Sequence, residues 1–213
     1  MTEIVAEISG NHGGSLENAC RLIAEAKKAG ADSVKFQCFE PERLAWKRDS
    51  NPYIRELAGG KSLFDLYRKT HTPKTWFKAL SECAYRHDLP WFSSVFDPAD
   101  VAFLETMGCP RYKISAFEML DGDLINAVVA TGKPIVMSVR STATATVLLA
   151  SEYGESSGVM FGHSDHSEHG HLANGLMIER HIRLPDVETP DTKFSSTPDE
   201  FRDYVKRIRG LKR

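Results

Sequence analysis

Short apolar runs alternate along the chain with longer stretches whose apolar residues recur at helical spacing. Ile4 to Ser9 predicts a buried strand, after which Ser15 caps a helix carrying Ala19, Leu22, Ile23 and Ala26 on one face until Gly30 stops it. Ser33 to Cys38 predicts a second strand. A long polar excursion follows from Glu40 to Pro73, broken by Pro41, Pro52, Gly59 and Gly60, and then a helix from Lys74 to His87. An excursion of that length fits a lid or substrate loop. Trp91 to Val95, Arg111 to Ser115 and Pro134 to Ser138 predict three more strands, separated by helices over Pro98 to Met107 and Asp121 to Thr131. The pattern continues with a helix around Ala143 to Tyr153, a strand from Val159 to Phe161, a strand near Leu176 to His181, and a last helix opened by Thr197-Pro198-Asp199-Glu200.

The connections are too long for hairpins and long enough for right-handed crossovers, so the strands are expected to run parallel. About seven β/α units result, in a chain shorter than the ~250 residues of an ordinary eight-fold barrel. The expected fold is therefore α/β, a TIM-type (β/α)8-like barrel shortened by about one β/α unit, in one domain over residues 1–213. In such a barrel the C-terminal strand ends converge, so residues distant in sequence build one pocket.

Composition narrows the partners. With 213 residues, 41% hydrophobic content and a formal charge of −2, the chain fills one sizeable core and shows no bias toward nucleic acid or membranes. No apolar run approaches the ~20 residues that cross a bilayer, and Met1-Thr2-Glu3 lacks the features of a signal peptide, so a cytoplasmic location is expected. Cys20, Cys38, Cys83 and Cys109 follow neither zinc nor redox-pair spacing and are expected to be reduced thiols. The basic end from Lys206 to Arg213 reads as a solvated helix face and a frayed tail.

Candidate chemistry sits at the strand ends. Lys35 and Lys113 each follow apolar strand residues, which predicts two ammonium groups emerging at the barrel mouth and an anionic guest, a phosphorylated carboxylate by preference. Either lysine alone would read as a surface lysine; two at equivalent ends, with Gln37, Ser115 and Glu118 nearby, favour a pocket. Glu118 is either the group that orients Lys113, a general acid or base, or an ordinary loop carboxylate. Glu7 lies inside the first apolar run, where an unpaired carboxylate is costly, so it requires a partner or a polar pocket. Asn11-His12-Gly13-Gly14 forms a turn that lets backbone approach a ligand. His163, His166, His169 and His171 cluster later in the chain, and Asp165 beside His166 offers mixed oxygen and nitrogen ligands suited to Mn²⁺ or Mg²⁺. His181 ends another strand, where a ligand and a packed core histidine are equally compatible with the sequence.

Ala6 to Ser15, Val34-Lys35-Phe36-Gln37, Phe92 to Asp97, Tyr112 to Glu118, Gly162 to Ser167 and Ile178-Glu179-Arg180-His181 resemble, in that order, the motifs of the sialic acid synthase (nonulosonic acid synthase) family. Ser115 to Glu118, with Lys61 to Tyr67 and His71-Thr72-Pro73 in the long excursion, resembles the pseudaminic acid synthase branch more than the N-acetylneuraminate branch. The resemblance implies a (β/α)8 barrel of carbohydrate biosynthesis that joins phosphoenolpyruvate to an open-chain N-acetylated amino sugar with the help of a divalent metal, releasing phosphate. Carried over by motif, Lys35, Gln37, Lys113, Ser115, Glu118 and Ser138 would hold phosphoenolpyruvate, with Ser94 and His12 also in the substrate site; Glu7 and Asn11 would address the sugar. His166 would bind the metal and Asp165 would support or orient that ligand; His163 is the candidate substitute for the family's second metal-binding histidine, and His181 would line the substrate site.

The sequence departs from the family pattern in three places. The interval from Ser138 to Gly162 is too short for the family's further strand and helix with its second metal-binding histidine. Ser138-Val139-Arg140 replaces a Ser-Thr-Gly, and no C-terminal antifreeze-like domain is expected within residues 1–213. The leading reading is a phosphoenolpyruvate-dependent, carbon–carbon bond-forming transferase whose partners are phosphoenolpyruvate and an amino sugar, with no nucleic acid and no membrane, and with homo-oligomerisation left open. The rival is a catalytically impaired anion- or sugar-phosphate-binding module derived from the same family; a different metal-dependent barrel enzyme acting on a phosphorylated or carboxylated ligand stands third.

Overall fold

A computed structural model describes residues 2–138, 159–164 and 177–210. Its strands are β1 (Glu3–Glu7), β2 (Ser33–Cys38), β3 (Trp91–Val95), β4 (Tyr112–Ile114), β5 (Ile135–Ser138), β6 (Val159–Ser164) and β7 (Met177–His181). All neighbours are parallel, and β7 returns to pair with β1, so seven strands close the barrel. The expected loss of one β/α unit is thus realised as direct pairing of β5 with β6, Ile135 opposite Val159 and Ser138 opposite Gly162.

The described helices are α1 (Leu16–Ala29), α2 (Pro41–Arg48), α3 (Pro52–Leu57), α4 (Leu63–Thr70), α5 (Phe77–Arg86), α6 (Pro98–Thr106), α7 (Gly122–Val129) and α8 (Pro198–Gly210). Local chemistry sets their ends. The Ser15 hydroxyl accepts from the Asn18 amide at the start of α1, and Gly30, with φ 94°, closes it in a left-handed conformation that a side chain would strain. Asp97 caps α6, with Pro98 at its first turn, and Asp121 caps α7. The helix expected from Lys74 to His87 is a 3-10 turn at Lys74–Trp76 followed by α5. The helix expected around Ala143 to Tyr153 lies outside the described residues.

The main core lies between the barrel wall and the helices, with Ile4, Leu22, Phe36, Phe77 and Tyr112 all buried. Fully burying a side chain of the Leu, Ile or Phe type contributes about 1.5–3 kcal/mol. The excursion expected to be a loop holds three helices instead, because Ala45, Ile54, Ala58 and Leu63 give it an apolar cluster of its own. A second small cluster of Phe39, Leu44 and Phe96 ties α2 to the end of β3. The last residue of α4 lies so close to the β1–α1 turn that a Cβ at Gly10 would stand 2.6 Å from Thr70 Cβ. All four cysteines are free thiols. Among the described residues no helix is long and apolar enough to cross a membrane.

Candidate active site

Side chains alternate across a strand, so residues two apart in these strands share a face. One face of β1 carries Glu3 and Glu7, that of β2 carries Ser33, Lys35 and Gln37, and that of β7 carries Glu179 and His181. They meet inside the barrel, an interior usually packed with branched aliphatics. At its N-terminal floor Arg111 pairs with Glu3, donates to Ser33 Oγ at 3.1 Å, and lies 3.9 Å above the Phe92 ring. One layer up, two ammonium groups meet two carboxylates.

Lys35 Nζ pairs with Glu7, lies 3.5 Å from Glu179 Oε2 and donates to Ser94 Oγ at 2.7 Å. Lys113 Nζ donates to the same Glu179 oxygen at 2.7 Å. Gln37 Nε2 donates to Glu7 Oε1 at 3.1 Å. The register brings these groups to one level, with Glu7 opposite Lys35, Gln37 opposite Ser94 and Ser94 opposite Lys113. The exposures of Lys35 and Lys113, 2% and 3%, correct the expectation of ammonium groups emerging at the mouth. The lysines turn into the lumen because carboxylates there compensate their charge; an uncompensated ion would not be buried.

Electrostatics separate the four groups. Burial raises the Glu7 carboxyl from 4.5 to about 7, against the pull of the Lys35 ammonium and with the Glu179 charge adding to the rise. Burial disfavours the Lys35 ammonium, but the charges of Glu179 and Glu7 outweigh it and its pKa is raised. For Lys113 burial wins over Glu179, with Lys35 repelling it, and its pKa is lowered. The difference follows from geometry: Lys35 touches two carboxylates and Lys113 touches one of them. The cluster thus holds one carboxyl poised near neutrality beside a lysine favoured in its charged form.

At the mouth, Ser115 and Glu118 belong to a second constellation. Glu118 is buried; Arg48, the last residue of α2, donates to its Oε1 from Nε at 3.1 Å and from Nη2 at 2.5 Å. Ser115 donates to its Oε2, and the Glu118 amide donates back to the Ser115 carbonyl at 3.0 Å. The expectation that Glu118 orients Lys113 is therefore corrected: the partner of Glu118 is Arg48, and Glu179 is the carboxylate on Lys113.

Asn11 and His12 are fully buried and serve the loops around the mouth. The Asn11 amide donates to the Ile182 carbonyl at 2.9 Å and to Ser195 Oγ at 2.8 Å, and its oxygen accepts from Thr189 at 2.6 Å. Those bonds tie the turn after β1 to the segment after β7. His12 accepts from the Gly14 amide at 3.0 Å and lies 3.4 Å from Thr72 Oγ1, contacts that fix the turn after β1. Burial, with His71 nearby, lowers its pKa to about 4, so the ring is neutral. His181 packs edge-on to Phe194 with Nδ1 3.7 Å from Asp191 Oδ2, while Ser138 ends β5 as a buried hydroxyl.

The metal expectation meets a boundary. Asp165 and His166 lie outside the described residues, as do His169 and His171; His163 occupies β6 level with Ile178 of β7, and its side chain is likewise outside. Among the described residues no group of three His, Cys, Asp or Glu is placed to hold a metal ion.

Two site residues escaped sequence reasoning. Glu179 was legible only as part of a motif, although its place two residues before His181 in an apolar run is the same signal that marks Glu7. Arg48 carried no signal at all, since a basic residue at a helix C-terminus is commonplace.

Comparison with known proteins places this geometry in a lineage. Residues 22–158 match the model of the NeuB family. The pseudaminic acid synthase of Helicobacter pylori is 33% identical over 250 aligned positions that cover 97% of this chain and 73% of that protein. The alignment is longer than the 213-residue chain, so at least 37 of its 250 positions have no counterpart here. The spore coat polysaccharide biosynthesis protein SpsE of Bacillus subtilis is 27% identical over 97% of the chain and 66% of that protein. Among solved structures, the N-acetylneuraminic acid synthetase of Leptospira borgpetersenii superposes with a TM-score of 0.78 at 21% identity, covering 100% of this chain and 86% of that one. SpsE itself superposes with a TM-score of 0.74 at 24% identity, covering 98% and 67%. The structural likeness supports the barrel, and the family match together with the Helicobacter relative decides the lineage: the chain belongs to the NeuB family.

Proposed function

We propose that the protein is a nonulosonic acid synthase-like enzyme that condenses phosphoenolpyruvate with an N-acetylated amino sugar in its aldehyde form. The observation that carries this reading is the pair of lumen lysines, Lys35 and Lys113, bridged by Glu179 at 3.5 and 2.7 Å. Two ammonium groups brought together in one lumen can receive a phosphate and a carboxylate from one small ligand. Ser94, Gln37, Ser115 and Ser138, at the ends of neighbouring strands, supply hydroxyl and amide groups around it.

In the proposed reaction the methylene carbon of phosphoenolpyruvate bonds to the aldehyde carbon, water adds to the neighbouring carbon, and the carbon–oxygen bond to phosphate breaks. Lys35 and Lys113 hold the anionic ligand and the departing phosphate. Glu7, held near neutrality beside Lys35, is the group able to accept a proton from water or return one to the aldehyde oxygen. A divalent ion, Mn²⁺ or Mg²⁺, belongs to the proposal through His166 and His163 and when bound would polarise the aldehyde carbonyl.

A second reading, an anion-binding module without turnover, is favoured by one observation: both lysines are already neutralised by carboxylates. Phosphate release separates the two. The enzyme reading predicts release that requires phosphoenolpyruvate, an N-acetylated amino sugar and a divalent metal together. Binding of phosphoenolpyruvate with no release across a panel of such sugars would leave the module.

A further inference from the structure

The structure assigns Arg48 as the residue that neutralises and positions Glu118 at the barrel mouth, an inference that rests on the anion-binding reading of the Lys113 strand end. Three observations carry it. First, the guanidinium donates twice to Glu118 Oε1 and once to Tyr67 Oη, the last at 3.3 Å. Second, it is enclosed by aromatic faces, its Cζ lying 5.2 Å from the Phe96 ring centroid, 5.3 Å from Phe117 and 5.9 Å from Tyr67. Only 14% of the side chain is exposed, against 2% for Glu118, so little water screens the pair. Third, the preceding residue makes a parallel attachment, Lys47 pairing with Asp121 and donating to the Phe96 carbonyl at 2.8 Å.

The end of α2 thus holds the Ser115–Asp121 segment at its middle, through Glu118, and at its far end, through Asp121. A guanidinium caged by rings and aimed at one carboxylate has a single orientation, and Glu118 inherits it. Glu118 in turn accepts from the Ser115 hydroxyl, so the geometry of the serine beside Lys113 depends on a helix from the 41–70 excursion. Glu118 stands five residues beyond Lys113 on the same strand exit, and without Arg48 it would place a bare carboxylate at the edge of an anion site. Arg48 therefore acts on the ligand through Glu118, as a positioning residue.

The test is a charge-rescue cycle read by equilibrium binding of phosphoenolpyruvate and by hydrogen exchange at the Glu118 amide, which donates to Ser115. Arg48→Met is expected to weaken binding by about tenfold, a loss typical of an uncompensated charge beside an anion. Adding Glu118→Gln should return the double variant to within about threefold of Glu118→Gln alone, because the charge needing compensation is gone. Tyr67→Phe, which removes one hydrogen bond to Arg48 and keeps the cage, should weaken binding by no more than about threefold. Exchange at Glu118 should accelerate in Arg48→Met and stay slow in Arg48→Lys. The inference is overturned if the double variant binds as weakly as Arg48→Met, or if Arg48→Met binds like the parent while only its melting temperature falls. Should the parent itself bind no phosphoenolpyruvate, the functional reading fails, and exchange alone decides on Arg48: acceleration in Arg48→Met supports the positioning role, and an unchanged rate refutes it.

Discussion

Lys113 Nζ lies 2.7 Å from Glu179 Oε2, joining β4 to β7 across the barrel lumen rather than along its wall. The same oxygen is 3.5 Å from Lys35 Nζ, so one carboxylate stands between two buried ammonium groups. Replacing Glu179 with Gln should lower stability by about 3 kcal/mol, because breaking a buried pair strands its partner. Urea unfolding measures this. Inorganic phosphate should recover part of the loss by occupying the position of the missing charge, whereas a variant as stable as the parent would contradict the countercharge account.

How far the sequence reveals this arrangement depends on the residue. The strands Ser33 to Cys38 and Trp91 to Val95 are legible to the residue, because apolar runs bounded by turns leave no alternative. The excursion is misread as a loop because its apolar residues sit between Pro52, Gly59 and Gly60, which hide three short helices. Lys35 and Lys113 are legible as a pair, but not their direction. Whether a lysine at a strand end snorkels outward or turns inward depends on carboxylates supplied by other strands. Glu7 arrives from β1 and Glu179 from β7, at opposite ends of the chain. Arg48 and Glu118 are separated by seventy residues and no local periodicity links them.

Glu7 gives the cluster a pH signature. Its folded carboxyl is raised from 4.5 to about 7, so the folded state keeps a proton that the unfolded chain has released. The stability Glu7 contributes is therefore complete below pH 4.5 and is lost as pH rises through about 7. Glu7→Gln should remove this slope. Parent and variant, compared by denaturant unfolding across that window, should differ in slope and not only in level.

His12 has the opposite sign. Its folded pKa is lowered from 6.5 to about 4, so stability is complete above pH 6.5 and is lost as pH falls through about 4. A shift of that size corresponds to up to about 3 kcal/mol across the window. His12→Gln should flatten the acid limb in the same unfolding series, and an unchanged limb would mean that the imidazole is not held neutral.

Gly10 tests the seating of the excursion on the β1–α1 turn. A Cβ at this position would meet Thr70 Cβ at 2.6 Å and Thr70 Cγ2 at 2.9 Å. Gly10→Ala should cost about 1–3 kcal/mol through overpacking and open residues 63–76 to proteolysis. Thr70→Gly in the same chain should restore much of the protection, since it removes both colliding atoms.

The central claim, that the two lumen lysines hold phosphoenolpyruvate for condensation with an amino sugar, is tested most directly by phosphate release. Incubation with phosphoenolpyruvate, Mn²⁺ and N-acetylated amino sugars should liberate phosphate with at least one sugar and none when the sugar is left out. Lys35→Met and Lys113→Met should each abolish it. Release that survives the loss of both lysines, or its absence with every sugar offered, would contradict the account.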